Sequence, residues 1–173
     1  MQEELKLIGQ YGLRNKHELW RQETKLSTFR GIARSLIGQT PEERQKRENE
    51  LLARLKRIGL LPETAVLDDV LDLALEDLLE RRLQTIVLRK GLAKTMQQSR
   101  QLITHGHVAV GNQRIRTPSY IVTKPEEPQI AYSPSTPLAN PRHPLRQTIT
   151  VAPPIMSEPA EPNGEQAPQE GGN

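Results

Sequence analysis

Between positions 81 and 123 stand eight basic residues and no acidic one: Arg81, Arg82, Arg89, Lys90, Lys94, Arg100, Arg114 and Arg116. The stretch 63–80 is the reverse, with seven carboxylates and no cation. A solvated surface mixes both signs, so a long run free of carboxylates points to a partner that carries negative charge. The duller alternative is that the basic run pairs with the acidic one before it. Lys and Arg displace counterions from phosphates, and neutral polar side chains can reach the 2′-OH groups that mark RNA. His105 and His107, two residues apart with no other His or Cys nearby, make a poor metal pair. The absence of Cys removes disulfides, thiolate nucleophiles, Cys-ligated zinc and iron–sulfur clusters. No Ser/His/Asp arrangement, phosphate-cradling Gly-rich loop or metal spacing is found. The expectation is a protein that is not an enzyme, with no cofactor, no metal and no small-molecule substrate.

These residues need elements to hold them. Thr95 is placed to cap a helix over 96–105 that Gly106 ends. At 100° per residue, Lys94, Gln98, Gln101 and His105 fall within about 60° of one another. Met96, Ser99 and Ile103 lie opposite, with Leu102 at the border. The start of this helix adds free backbone N–H groups and the positive end of the macrodipole. Upstream, the stripe Leu75, Leu78, Leu79, Leu83 and Ile86 predicts one helix over 75–90, with Gly91 just past its end. Arg82 and Arg89, seven apart, then share a face. Downstream, 107–110 alternates like a strand, Gly111-Asn112 fits a tight hairpin turn, and 113–116 returns. Pro118 interrupts, and Tyr120-Ile121-Val122 reads as one more short strand. The unit is helix–loop–helix plus a small sheet, with two basic rows flanking a groove.

The whole chain has 173 residues, a net charge of +3 and only 3% aromatics, so its core depends on Leu, Ile and Val. Neither a long apolar run nor a charged-then-apolar leader is found, so the expectation is a soluble, intracellular protein with no membrane partner. Residues 1–62 read as helices. Asn15 is placed to cap a helix over 16–37 whose apolar positions are Leu19, Trp20, Leu26, Phe29, Ala33, Leu36 and Ile37. Trp20 and Phe29 are read as core rather than as base-stacking platforms. Thr40, Pro41 and Glu43 predict the start of a second helix, with a capping box, that ends at Gly59. Residues 124–173 hold 11 of the 14 prolines and are read as an extended or disordered tail. Ile130, Tyr132, Leu138 and Leu145 could let its first part lie ordered on a surface. The fold class is α+β: a helical part over 1–74, a small module over 75–123, and a Pro-rich tail over 124–173.

The runs Arg82-Leu83, Arg89-Lys90-Gly91-Leu92-Ala93, Ser99-Arg100-Gln101-Leu102-Ile103 and His105-Gly106-His107-Val108 resemble, in order and spacing, the RNA-binding module named after the fourth protein of the small ribosomal subunit. The flanks narrow this. Tyr11-Gly12-Leu13-Arg14-Asn15-Lys16, Glu18-Leu19-Trp20-Arg21 and the run from Leu78 to Thr85 resemble the archaeal and eukaryotic branch of that ribosomal protein family. The likeness covers 5–146. Members of this branch open with a basic arm, whereas this sequence opens at Met1-Gln2-Glu3-Glu4, which puts contacts by such an arm in doubt.

The resemblance implies a structural protein of the small subunit. It would bind ribosomal RNA at a multi-helix junction of the 5′ domain and nucleate assembly there. It would lie near the mRNA entry site beside small-subunit proteins three and five, influencing translational accuracy on the cytoplasmic ribosome. Carried over by position, the RNA face comprises Arg81, Arg82, Gln84, Arg89, Lys94, Thr95, Gln98, Arg100, His105, His107, Asn112, Arg114, Arg116, Ser119 and Tyr120. Arg14, Lys16 and Arg30 join it from the helical part. Duller roles stand beside some of these. Arg81 could pair with Asp77 one turn back, and Tyr120 could plug the sheet edge rather than stack on a base. The competing class is an accessory factor that uses the same module to visit the ribosome transiently. A third class, a helix-turn-helix protein, would read duplex DNA instead.

Overall fold

The computed structural model describes residues 2–151. Three helices open the chain: α1 (Gln2–Gln10), α2 (Lys16–Ile37) and α3 (Pro41–Ile58). Asn15 has the extended backbone of an N-cap, but its side chain makes no cap hydrogen bond. The inner face of α2 is Leu19, Gln22, Leu26, Phe29, Ala33 and Leu36, in alternating steps of three and four. Trp20 lies off that series and is 44% exposed, so its reading as core is corrected. Phe29 is buried. Thr40 and Pro41 open α3, while the expected capping role of Glu43 lies outside the described side chains. Gly59 ends α3 with φ at +87°, and its N–H bonds back to the Leu55 and Lys56 carbonyls.

The first core joins the inner face of α2 from Leu26 onward to Leu51, Leu52 and Leu55 of α3 and to the chain from Leu61 to Leu78. That chain includes α4 (Asp69–Asp72) and α5 (Leu75–Glu80). Ala74 at the start of α5 has no side-chain acceptor. Asp77 Oδ2 accepts from Ala74 N at 2.8 Å, which is half of a capping box.

The single helix expected over 75–90 is two. α5 stops at Glu80, Arg82 is extended (φ −74°, ψ 142°), and α6 (Leu83–Arg89) starts anew. The break has a partner: Leu83 N donates to Tyr120 O at 2.8 Å, and Val122 N to Arg81 O at 2.9 Å. Residues 120–122, expected in the sheet, instead bridge to this break through Ile121 and Arg82. Leu78 of α5 belongs to the first core and α6 to the second, so the two cores part at 81–82 rather than at 74–75.

The second core joins Leu83, Ile86 and Val87 of α6 to Leu102 and Ile103 of α7 (Met96–Thr104). It also holds Val108 and Val110 of β1 (Val108–Val110), with Val122, Ile130 and Leu138. The sheet has the order β2 (Gln113–Arg114), β1, β3 (Ile130–Tyr132), and both pairings are antiparallel. Val110 faces Gln113 across the Gly111-Asn112 turn, and Val108 faces Tyr132. β1 is central and buried throughout.

β3 comes from the segment read as an extended tail, and that reading is corrected for 124–151. No proline falls within β3, so its ladder is intact. Prolines instead open two short 3-10 turns, Glu127–Gln129 and Pro137–Ala139, and the helix α8 (Pro144–Val151). Residues 152–173 lie outside the described residues. A third cluster, Tyr11, Leu13, Leu19 and Leu79 with Met96 against it, fills the seam between the helical part and the module. Among the described residues, no helix is long and apolar enough to cross a membrane.

Candidate nucleic-acid interface

The seam is locked by charge as well as by packing. Glu18 of α2 accepts from Arg82 Nη2 at 2.7 Å and from Arg100 Nη2 at 2.6 Å. Arg100 Nη1 adds longer contacts to Glu18 at 3.3 Å and to Gln84 Oε1 at 3.5 Å. Burial pushes the Glu18 carboxyl up, but the hydrogen bonds and charges of Arg100 and Arg82 outweigh it and hold the group below its ordinary range. Gln84 Nε2 donates to the carbonyls of Gly12 at 3.1 Å and Met96 at 2.9 Å, and Ser99 Oγ donates to Gln84 O at 2.6 Å. Gly12 must be glycine here: its φ is +56°, and a Cβ would stand 2.7 Å from Met96 Cβ. Arg82 and Gln84, expected on the RNA face, are each 1% exposed and turned into the protein. They build the joint that carries the face.

Other residues assigned to RNA have protein partners. Arg81 pairs with Glu127 at 2.8 Å and donates to Val122 O, so the pairing with Asp77 is not formed. Arg89 pairs with Glu80 at 2.6 Å. Arg89 is exposed whereas Arg82 is buried, so the two do not open onto a common surface as expected. Arg30 Nη2 donates to Leu73 O at 2.6 Å, and Lys16 meets Glu4 at 3.5 Å. Tyr120 packs on the second core and donates to Glu126 Oε1 at 2.8 Å. Arg14 is exposed.

The remaining residues gather around α7 and the hairpin. Arg114 and Arg116 are exposed and both lie against Gly106, whose φ is +75°. A Cβ there would stand 2.9 Å from Arg114 Cδ and 3.1 Å from Arg116 Nε. Arg114 Nη2 also donates to Ser135 Oγ. The rings of His105 and His107 stack at 6.3 Å. Burial, then the charges of His105 and Arg114, holds His107 below the usual imidazole range, which favours its neutral form. Asn112 is exposed at the hairpin tip. At the start of α7, Thr95 Oγ1 accepts from Gln98 N at 3.1 Å and Gln98 Oε1 accepts from Lys94 N at 2.7 Å. That capping consumes one of the helix N–H groups expected to be free, Gln98 N. Among the described residues, no ion pair reaches Lys94, Arg114 or Arg116.

α7 divides two hollows. On one side Gln98, Gln101, His105 and His107 face Leu138, His143 and Leu145 across about 440 Å³, so three of the four residues of the expected polar face share one wall. On the other side Arg100 and Ser119 face Glu18, Arg21, Gln22 and Lys25 of α2 across about 410 Å³. The 116–119 loop links this second hollow to the hairpin arginines. The result is a basic band from Arg21 and Lys25 through Arg100 to Arg116 and Arg114. Sequence reasoning left out Arg21 and Lys25, although their i, i+4 spacing puts them on one face of α2. It also missed Trp20, which stands exposed beside Arg21 with its indole edge-on to His17 at 5.1 Å.

Residues 81–127 match the family model described as the S4 domain. The chain is 56% identical over 139 residues to small ribosomal subunit protein uS4 of Hyperthermus butylicus, covering 80% of this chain and 79% of that one. It is 52% identical to the uS4 protein of Ignicoccus hospitalis, with 78% and 81% covered. It is 51% identical to that of Methanococcus aeolicus, with 84% and 83% covered. With identity at this level over about four fifths of its length, the chain belongs to the uS4 family of small ribosomal subunit proteins.

Proposed function

We propose that this chain is a structural constituent of the small ribosomal subunit and binds the subunit's RNA along the band that runs from α2 to the hairpin. The family is one of structural proteins rather than enzymes. The observation that carries the reading is that Arg21, Lys25 and Arg100 line one hollow while Arg114 and Arg116 extend the same charge past Gly106. The two ends of the band sit on different cores, and the Glu18–Arg82–Arg100 joint holds them in one register. A rigid body with basic surfaces on both sides of a seam suits RNA helices that meet at an angle better than one straight duplex. That supports the finer reading: a primary binder at a multi-helix junction of the 5′ domain that nucleates assembly. The same reading places it near the mRNA entry site beside small-subunit proteins three and five, with an influence on accuracy.

Exposed Arg14, Thr95, His105, Asn112 and Ser119, with half-buried Lys94 and Gln98, would add phosphate and ribose contacts around the band. Neutral His107 would act as a hydrogen-bonding group rather than as a cation. Five cations on five phosphates give a slope of log K against log salt of roughly −3.5 to −4.5. The test is sedimentation of cell extract through a high-salt sucrose gradient. Stoichiometric recovery with small subunits is expected; a chain that washes off would be an accessory factor instead.

A further inference from the structure

We infer that the hollow between α2 and the loop at Pro118 and Ser119 takes a single unstacked nucleotide of the bound RNA, base inward and phosphate at the rim. This rests on the RNA-binding reading above and names a site within it. The hollow measures about 410 Å³, within the range of small-ligand pockets. Gln22 is the one buried residue of its lining, 3% exposed, and its Oε1 has no hydrogen-bond partner. It occupies the position between Leu19 and Leu26 where the helix stripe calls for an apolar side chain. An amide in that place, with its oxygen unpaired, suits a ligand that brings an N–H donor into the hollow.

The charges select the rest of the ligand. Both oxygens of Glu18 are held by Arg82 and Arg100, so its negative charge is offset where it lines the hollow. Arg21 and Lys25, exposed at the rim, and Arg100, half-buried beside them, leave an excess of positive charge. A phosphate alone would satisfy the rim and leave Gln22 Oε1 unpaired, since a phosphate dianion donates nothing. An apolar side chain from a protein would satisfy neither. A nucleotide supplies both halves: an amine or imino N–H on the base edge for Gln22, and a phosphate for the arginines and Lys25. The ring of Pro118 offers an apolar surface for the base face. RNA presents such bases at loops, bulges and junctions, where they are free to leave the stack.

The test uses the full chain and a transcript of the small-subunit RNA 5′ domain from the same genome. Base edges are probed with dimethyl sulfate and a carbodiimide. Gln22→Leu removes the amide oxygen at similar volume, and Thr24→Phe plugs the hollow from an exposed position that tolerates change. We expect the wild type to protect one unpaired base that both variants leave reactive, with the rest of the footprint intact and affinity about tenfold weaker. If Gln22→Leu does not fold, Thr24→Phe decides alone. A full wild-type footprint kept by the folded variants would overturn the pocket and leave the RNA reading standing. No footprint from the wild type itself would overturn the RNA reading, and the pocket with it.

Discussion

Replacing Glu18 by Ala should be among the most damaging single changes on the surface of α2. Arg82 is 1% exposed, and its Nε and Nη1 have no partner. Its described side-chain hydrogen bond is the one from Nη2 to Glu18 at 2.7 Å. Removing the carboxylate leaves a buried guanidinium without compensation, a change that costs about 3–5 kcal/mol where burial is complete. Glu18 is itself 18% exposed, so water can enter the vacated space, and the lower end, about 3 kcal/mol, is the expected value. For a chain of this size that lowers Tm by roughly 6–12 °C. Thermal melts followed by circular dichroism, with urea titrations beside them, read it directly. The double variant Glu18→Ala/Arg82→Met should recover at least half the loss, because it removes the stranded charge and keeps the packing. The Glu18 carboxyl is held low in the folded state, so its contribution is present above the ordinary carboxylate pKa and is lost as pH falls through the folded value. Glu18→Gln should therefore lose less stability than the wild type on acidification below about pH 4.5. A Glu18→Ala melt within 2 °C of wild type, or a double variant no more stable than the single, would refute this account of the joint.

Four further outcomes follow from the same geometry. Ile130→Ala should cost about 2–5 kcal/mol, because Ile130 is 5% exposed in the second core and anchors β3; a change below 1 kcal/mol would mean the strand is dispensable. Gly12→Ala should destabilise by more than about 2 kcal/mol through its positive φ and the approach to Met96, again read by urea titration. Trp20 is the chain's single tryptophan and is exposed, so RNA binding should quench its fluorescence. Trp20→Ala should weaken binding by about 1–3 kcal/mol if a base stacks on it, and unchanged emission on RNA addition would exclude that. Arg116→Ala should reduce the salt slope of RNA binding by about one and leave the melting temperature unchanged; an unaltered slope would remove Arg116 from the band.

The parts of the fold that could be read in advance are those governed by local rules. The limits of α2 and α3, the cap at Thr95 and the Gly111-Asn112 hairpin need only periodicity, capping and turn chemistry. The misreadings share a cause: a distant segment competes for the backbone or the side chain. The stripe from Leu75 to Ile86 is a valid helix pattern, yet residues 120–122 claim the backbone at Arg81–Leu83 and break it. Proline content spoke against order in 124–151, yet the prolines fall at turn starts and leave Ile130–Tyr132 free to extend the sheet.

The charge run shows the same effect at the site. The absence of carboxylates from 81–123 suggested that its cations all face a ligand, but charge along a sequence is not charge on a surface. Carboxylates from outside the run reach in: Glu18 from α2, Glu80 from α5 and Glu127 from beyond the module pair with Arg82, Arg100, Arg89 and Arg81, with Glu18 shared by two of them. Those four pairs hold the module to the helical part and to the segment that follows it, so half of the run's eight cations do architectural work. Among the described residues, no ion pair reaches the other four, Lys90, Lys94 at the head of α7, and Arg114 and Arg116 at the hairpin. A partner with negative charge must therefore be met on the side of the module that the rest of the chain leaves open. Arg21 and Lys25, which no property of the run could reveal, complete that surface from the opposite core.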